Sequence, residues 1–405
     1  MRRELQGMLL VLMATAACSD APDPTSPLLR APEDAAALQA SDEVGPNDYI
    51  VVLKDGEQNV AATSASIARA YGARIKTTWE TALRGFLAEV PPNALAALQR
   101  HPAVDYVSRD GMAYPDVNQG VAGIWGLDRI QERALPLDGI YSYTSTGAGI
   151  HVYIIDSGIR PTHAQFAGRV GAGVSFVPGV PSIVDCNGHG THVAGTIGGT
   201  TFGVAKGVIL HPVRVFNCTG GAPFSRIISA VNWVQNNDIA PAVTNMSLGG
   251  GFNAPTNAAV NALVASGNSV AVAAGNSNAN ACGSSPASAV NAITVGSTGE
   301  GAGIPPLMID TRSSFSNFGG CLDIFAPGRS IRSAYHTSNV ATAVMSGTSM
   351  ASPHVAGVAA RRRQTQPLWN AFAIRNNIVA NATAGVVLNP GVGSPNRLLY
   401  SSFFP

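Results

Sequence analysis

Gly347-Thr348-Ser349-Met350-Ala351-Ser352-Pro353-His354-Val355-Ala356-Gly357 reads as a tight turn opening into a buried helix. Gly347 allows the turn, Pro353 suits a first helical turn where its missing N–H is not needed, and Ala351, Ala356 and Gly357 let the helix pack closely. Ser349 then stands at a helix N-terminus, where free backbone N–H groups and the dipole favour developing negative charge. Its hydroxyl is a candidate nucleophile. A serine before an apolar run is equally a preferred helix cap, so the choice depends on what else the chain supplies.

Upstream, beyond Val117, strands alternate with helices as in an α/β domain with a parallel sheet. Gly149-Ile150-His151-Val152-Tyr153-Ile154-Ile155 reads as a buried strand ending at Asp156-Ser157-Gly158. Working residues of open parallel sheets gather at the C-terminal strand ends. Asp156 is therefore placed to hold a carboxylate away from bulk water, although alone it would read as a cap or turn residue. Asp185-Cys186-Asn187-Gly188-His189-Gly190-Thr191-His192-Val193-Ala194-Gly195-Thr196 is glycine-rich and then helical. His189, between two glycines, can present its ring to a cleft, whereas His192 is expected to pack against the sheet. The spacing of Cys186, His189 and His192 is compatible with zinc, but a fourth ligand is wanting nearby and Cys186 is better used in a disulfide.

Asp156, His189 and Ser349 thus run in the order Asp, His, Ser. In such a set the hydroxyl attacks a carbonyl, the imidazole takes and returns the proton, and the carboxylate fixes the imidazole's tautomer. The α/β-hydrolases run Ser, acid, His with G-x-S-x-G, where this chain has Ala351 for the last glycine, and the chymotrypsin type runs His, Asp, Ser. Through these motifs, the chain from Trp125-Gly126-Leu127-Asp128-Arg129-Ile130 to Gly393-Ser394-Pro395-Asn396-Arg397-Leu398-Leu399-Tyr400 resembles the subtilisin superfamily of serine proteases, in its proteinase K and aqualysin branch.

The resemblance implies a three-layer α/β/α fold with a central parallel sheet, and Asp156, His189 and Ser349 as acid, base and nucleophile. Asn276, at the end of the buried strand Val270-Ala271-Val272-Ala273-Ala274-Gly275-Asn276, matches the oxyanion asparagine that works with the Ser349 N–H. Substrate would add as a strand between Ser247-Leu248-Gly249 and Gly220-Gly221-Ala222, with Pro223 removing one donor from the second edge. Ala274 and Gly275 would wall an uncharged specificity pocket, suited to apolar or aromatic side chains. Four cysteines besides Cys18 allow three connectivities, and the resemblance implies Cys186 with Cys218 and Cys282 with Cys321. It further implies structural calcium, at Asp323 with the carbonyls of Val290 and Ala292, and less strongly at Asp128, Glu132 and Asp138, where Gln131 and Ile140 depart from the pattern.

Two other departures are an extra loop over 300–309 and the run Arg361-Arg362-Arg363, for which a solvated helix face is the expectation. No further domain is expected beyond Pro405.

Residues 1–18 read as a targeting signal: Arg2-Arg3, the apolar run Met8 to Met13, then small residues before Cys18. Cys18 is either a lipid-bearing N-terminus, as in bacterial lipoproteins, or lies beside an ordinary signal cleavage, so the product is expected to be lipid-anchored at the bacterial envelope or secreted. Residues 19–47, rich in Pro, Ala, Asp and Ser, suit a flexible linker. Residues 48–117 read as a small α+β, ferredoxin-like unit: strands at Tyr49–Lys54, Gly85–Val90 and Val104–Val107, with helices at Val60–Tyr71 and Ala94–Arg100. It resembles the propeptide-inhibitor domain of subtilisin-type proteases, implying a folding assistant cut from residues 118–405 near Val117-Asn118.

Charged residues are 12% of the chain and the net charge is +1, which gives no case for a nucleic-acid partner. The expectation is a monomeric exported endopeptidase made as a zymogen, acting on peptides and proteins through an acyl-enzyme. Two alternatives remain, a catalytically silent cell-surface binding protein on the same fold and an esterase using the same triad.

Overall fold

The computed structural model describes residues 44–56, 58–113, 118–119, 124–299 and 310–402. The expected signal segment with Cys18, most of the linker, Val117 and the 300–309 loop lie outside those residues.

In the N-terminal part, four antiparallel strands stand in the order Arg74–Trp79, Gly85–Glu89, Asp48–Leu53, Val104–Arg109. The period of two divides them cleanly. Val51, Leu53, Phe86 and Ala88 pack with Val60 and Ile67 of the helix Val60–Tyr71 and with Leu98 of the short helix Leu95–Leu98. The first of these helices starts where the Asn59 side chain accepts from the Ala62 N–H, and it stops at Gly72 in the left-handed region. Ile50, Val52, Leu87 and Trp79 face the other way, onto the helices Phe224–Asn237 and Ala254–Ala265 of the larger part. Polar contacts fix that seat: Trp79 Nε1 donates to Ser229 Oγ at 2.9 Å, and the Ala82 N–H donates to Asn232 Oδ1 at 3.2 Å.

The larger part is built on a ten-stranded sheet. Its central strands Ile209–Arg214, His151–Asp156, Ala242–Met246, Ser269–Ala273, Ile293–Gly299 and Ile324–Pro327 are neighbours in that order, all parallel. Both faces are covered, as a parallel sheet requires. Val152 and Ile154 join a core with the helices His189–Gly198 and Thr348–Thr365, while Tyr153 and Ile155 join the core under Phe224–Asn237 and Ala254–Ala265.

Arg361, Arg362 and Arg363 do not form a solvated face; they are only 1%, 8% and 4% exposed. Arg363 donates to Ser269 Oγ and to the carbonyls of Gly267 and Trp369, Arg361 to Tyr141 Oη and Ser145 Oγ, and Arg362 lies over the Trp369 ring. Carbonyls, hydroxyls and a π-face take the place of water around the guanidinium groups.

Two histidines are also buried where the helices His189–Gly198 and Thr348–Thr365 meet the core. His192 Nε2 bonds the Ile331 carbonyl at 2.9 Å and His354 Nδ1 the Met350 carbonyl at 2.8 Å. Burial is the main reason that their pKa values fall from 6.5 to about 3 and about 4. Burial favours the neutral ring in the fold, so each stabilising share is complete above pH 6.5 and is lost as pH falls toward about 3 for His192 and about 4 for His354. Unfolding free energy of a Ser349→Ala chain should drop on acidification by about 1.4 kcal/mol per pH unit for each histidine. Urea melts at several pH values should show a shallower acid limb in His354→Gln; an unchanged slope would contradict this.

Candidate active site

Asp156 ends the strand His151–Asp156, and His189 opens the helix His189–Gly198. Both are fully buried, and His189 Nδ1 lies 2.8 and 2.9 Å from the two Asp156 carboxylate oxygens. The Ser157 N–H also donates to Asp156 Oδ1, at 2.7 Å. This pins the imidazole by Nδ1 and fixes the orientation of the ring.

The loop before His189 is wrapped round Asp185. That carboxylate accepts from Ser157 Oγ, from the N–H groups of Asn187, Gly188 and Thr191, and from Thr191 Oγ1, at 2.6 to 2.9 Å. Gly190 is needed because a Cβ there would lie 2.2 Å from the Gly158 carbonyl oxygen. Of the residues weighed for zinc, Cys186 is bonded to Cys218 and His192 points to Ile331. Cys282 is bonded to Cys321.

Ser349 is the second residue of the helix Thr348–Thr365, which packs beside His189–Gly198 on the same face of the sheet. Pro353 therefore sits in the second helical turn and not the first. Its missing N–H leaves the Ser349 carbonyl without its helical donor, and Ser247 Oγ supplies one at 2.7 Å. In return, the Ser349 hydroxyl donates to the Ser247 carbonyl at 3.2 Å. The structure thus brings Asp156 and His189 into direct contact, with the Ser349 hydroxyl turned to Ser247.

Asn276 follows the strand Ser269–Ala273 through Gly275, whose φ of +98° suits glycine. Its Oδ1 accepts from both the N–H and the hydroxyl of Thr348, at 2.8 and 2.9 Å. Its Nδ2 is buried and has no hydrogen-bond partner among the described residues. A cavity of about 380 Å³ opens beside it, lined by Gly249, Ala274, Gly275, Asn276, Ser284 and Asn317, with no charged residue in its wall.

Of the two expected substrate edges, Ala222–Pro223 is paired antiparallel with Met112–Ala113, the last described part of the N-terminal unit. Gly220 and Gly221 before it both have positive φ. Ser247 and Leu248 are buried, and Gly250–Gly251 beyond them pairs with Ser284–Ser285.

The metal candidates divide. Carboxylate oxygens of Asp128, Glu132 and Asp138 lie within 4.8 Å of one another. Asp128 Oδ1 is buried and has no hydrogen-bond partner among the described residues, and the Asp128 pKa is raised by burial first and also by the neighbouring carboxylates. A cation fits that set. Asp323 shares a cavity wall with Val290, but Arg375 donates to its Oδ1 at 2.5 Å and the Thr294 N–H to its Oδ2 at 2.9 Å, so a cation there meets a carboxylate already neutralised.

Sequence reasoning missed Asp185, Thr348 and Asn317, which act by holding backbone. Only Asp185, six residues before Thr191 in a glycine-rich stretch, offered a hint of a loop cap.

Comparison with known proteins agrees with this architecture. A model described as the subtilase family matches residues 147–397, and one described as peptidase inhibitor I9 matches residues 48–115. An extracellular serine proteinase of Thermus sp. (strain Rt41A) is 44% identical, over 100% of both chains. An alkaline serine exoprotease A of Vibrio alginolyticus is 42% identical over 91% of this chain and 70% of its own. The crystal structure of a cold adapted subtilisin-like serine proteinase matches with a TM-score of 0.65 and 46% identity, covering 68% of this chain and 97% of that one. With its parallel sheet, its buried Asp156–His189 pair and Ser349 at a helix start, the chain belongs to the subtilase family of serine endopeptidases and carries an inhibitor I9 domain ahead of the peptidase domain.

Proposed function

We propose that this endopeptidase cleaves peptide bonds through Asp156, His189 and Ser349, with Asn276 and the Ser349 N–H as oxyanion donors. The observation that carries the reading is the buried, unpartnered Asn276 Nδ2 beside the Ser349 helix. An unmade hydrogen bond in the interior costs about 1–3 kcal/mol. A donor left in that state, while its own oxygen is held twice, is explained by a substrate oxygen that arrives later. It weighs against a silent binding protein on the same fold.

In the reaction the Ser349 hydroxyl turns from the Ser247 carbonyl to His189 Nε2 and gives up its proton as it attacks the substrate carbonyl. The imidazolium is stabilised by Asp156 and returns the proton to the leaving amine. A water activated by the same imidazole then releases the acyl group. The uncharged cavity beside Ala274 and Gly275 favours apolar or aromatic side chains before the cut bond.

The N-terminal unit acts as an intramolecular inhibitor, with the pairing of Met112–Ala113 to Ala222–Pro223 standing in for a substrate strand. Maturation would cut near Val117-Asn118 and divide the chain into units 48–117 and 118–405. The Thermus relative is named extracellular, which supports export of this chain too. When bound, calcium would screen the mutual repulsion of Asp128, Glu132 and Asp138 and thereby stabilise the fold. At Asp323 it would first have to displace Arg375.

Fluorophosphonate should label the mature protein and not Ser349→Ala, and Asn276→Ala should lower kcat by about a hundredfold with KM little changed. Labelling that survives Ser349→Ala would remove the nucleophile. Asp110, buried in the seat of the N-terminal unit, accepts from the N–H and hydroxyl of Ser225. Asp110→Ala should weaken inhibition by the cleaved segment about tenfold, read as activity regained on dilution. Chelation should lower Tm by about 5 °C, and Asp128→Asn should abolish that difference; a Tm indifferent to chelator in the parent would dismiss calcium.

A further inference from the structure

We propose that Asn317 is a positioning residue for the oxyanion donor, clamping the backbone on both sides of Asn276 so that this side chain's Nδ2 faces the reacting carbonyl. The inference rests on the reading of Asn276 given above and adds the residue that aims it.

Asn317 is 1% exposed. Its Oδ1 accepts from the N–H groups of Ser277 and Ala279, at 3.1 and 3.0 Å. Its Nδ2 donates to the Ala274 carbonyl at 2.9 Å, with a longer contact of 3.4 Å to Ser284 Oγ. Its backbone N–H donates to the Gly275 carbonyl at 2.8 Å. One residue therefore grips 274, 275, 277 and 279 and omits 276, the position whose side chain has work to do.

The segment needs such a grip because regular structure cannot supply it. Gly275 at φ +98° and Asn278 at φ 49° are both left-handed, so the chain turns twice within four residues and its amides point in different directions. An asparagine offers an acceptor and a donor a short distance apart. Aspartate keeps the acceptor alone, and serine is too short to span both sides. The fit is close: a Cβ on Gly275 would stand 2.5 Å from Asn317 Nδ2. Thr348 meanwhile fixes Oδ1 of Asn276 and accepts from the Gly275 N–H at 3.1 Å, so it holds the side chain and one of the backbone positions that Asn317 also grips.

The alternative is that Asn317 merely shapes the cavity it lines. The two roles separate kinetically, because an oxyanion is common to all substrates and a pocket wall is not. The test measures kcat and KM for mature Asn317→Asp and Asn317→Ser on two peptide anilides, with Phe or Ala before the cut bond. Rates are normalised to active sites titrated with fluorophosphonate, and the measurements are repeated in the Asn276→Ala background. The expected result is a kcat loss of about tenfold or more, equal on both substrates, with KM within about twofold. In the Asn276→Ala background the further loss should stay within about twofold, since the donor being aimed is gone.

Losses that multiply in the double variants, a change in KM that depends on the side chain, or an unchanged kcat would overturn the inference. Failure of both Asn317 variants to yield titratable enzyme would also overturn it, by placing the residue's weight on folding. If Asn276→Ala alone keeps full kcat, the oxyanion reading itself falls and takes this inference with it. If Asn276→Ala is slow and the Asn317 variants are not, this inference falls alone.

Discussion

The cleft depends on keeping one carboxylate dry and hydrogen-bonded. Asp156 is fully buried at the end of a parallel strand, and a charge taken from water costs several kcal/mol unless donors replace the hydration. His189 Nδ1 touches both of its oxygens, and the Ser157 N–H adds a third contact. The imidazole in turn needs its loop held, and that loop closes round a second buried carboxylate, Asp185, through five donors. Glycines are tolerated here because the backbone must come close. At 158 and 190, two backbone segments touch with no room for a Cβ.

The same economy of donors governs how the N-terminal unit sits on the peptidase domain. The helix Phe224–Asn237 is preceded by Pro223, which gives it no side-chain cap. Asp110 of the N-terminal unit fills that role through Ser225, while the Gly111 carbonyl accepts from the Phe224 N–H at 2.6 Å. A carboxylate there is favoured by the helix dipole and disfavoured by burial, and burial is the larger effect, pushing its pKa up to about 6. The same helix start adjoins the strand Ala222–Pro223, so the contacts of Asp110 and the pairing of Met112–Ala113 form one continuous seat.

What the sequence made legible was the family and the fold, through short motifs of particular residue types. Asp156, His189, Ser349 and Asn276 stand in short motifs at the ends of apolar runs, and their order along the chain excludes the other serine-hydrolase scaffolds. The strands themselves followed from apolar runs and alternation, as Ile50 and Val52 against Val51 and Leu53 illustrate. Residues that work by gripping backbone were not legible. Asn317 in a Ser-Asn-Phe-Gly stretch looks like any turn asparagine, since the carbonyls and amides it binds are some forty residues away. The arginine run misled for a related reason, because the carbonyls of Gly267 and Trp369 and the Tyr141 hydroxyl that receive it are invisible in a local window.

Pro353 shows how a local breach of helix rules becomes a device. In the second turn, a proline removes the bond that the Ser349 carbonyl would otherwise accept. Ser247 fills the gap with its hydroxyl, and its own carbonyl receives the Ser349 hydroxyl, so the two residues are tied reciprocally. Behind them Asn245 donates to Ser247 Oγ at 2.9 Å and accepts from Ser352 Oγ at 2.8 Å, returning the network to the same helix. Ser247 also leads, through the buried Leu248, to Gly249 in the wall of the uncharged cavity. The segment that leads to that cavity is therefore fixed against Ser349 by hydrogen bonds between a strand end and a helix start. The proline that weakens the helix by one bond is what frees a carbonyl for this purpose.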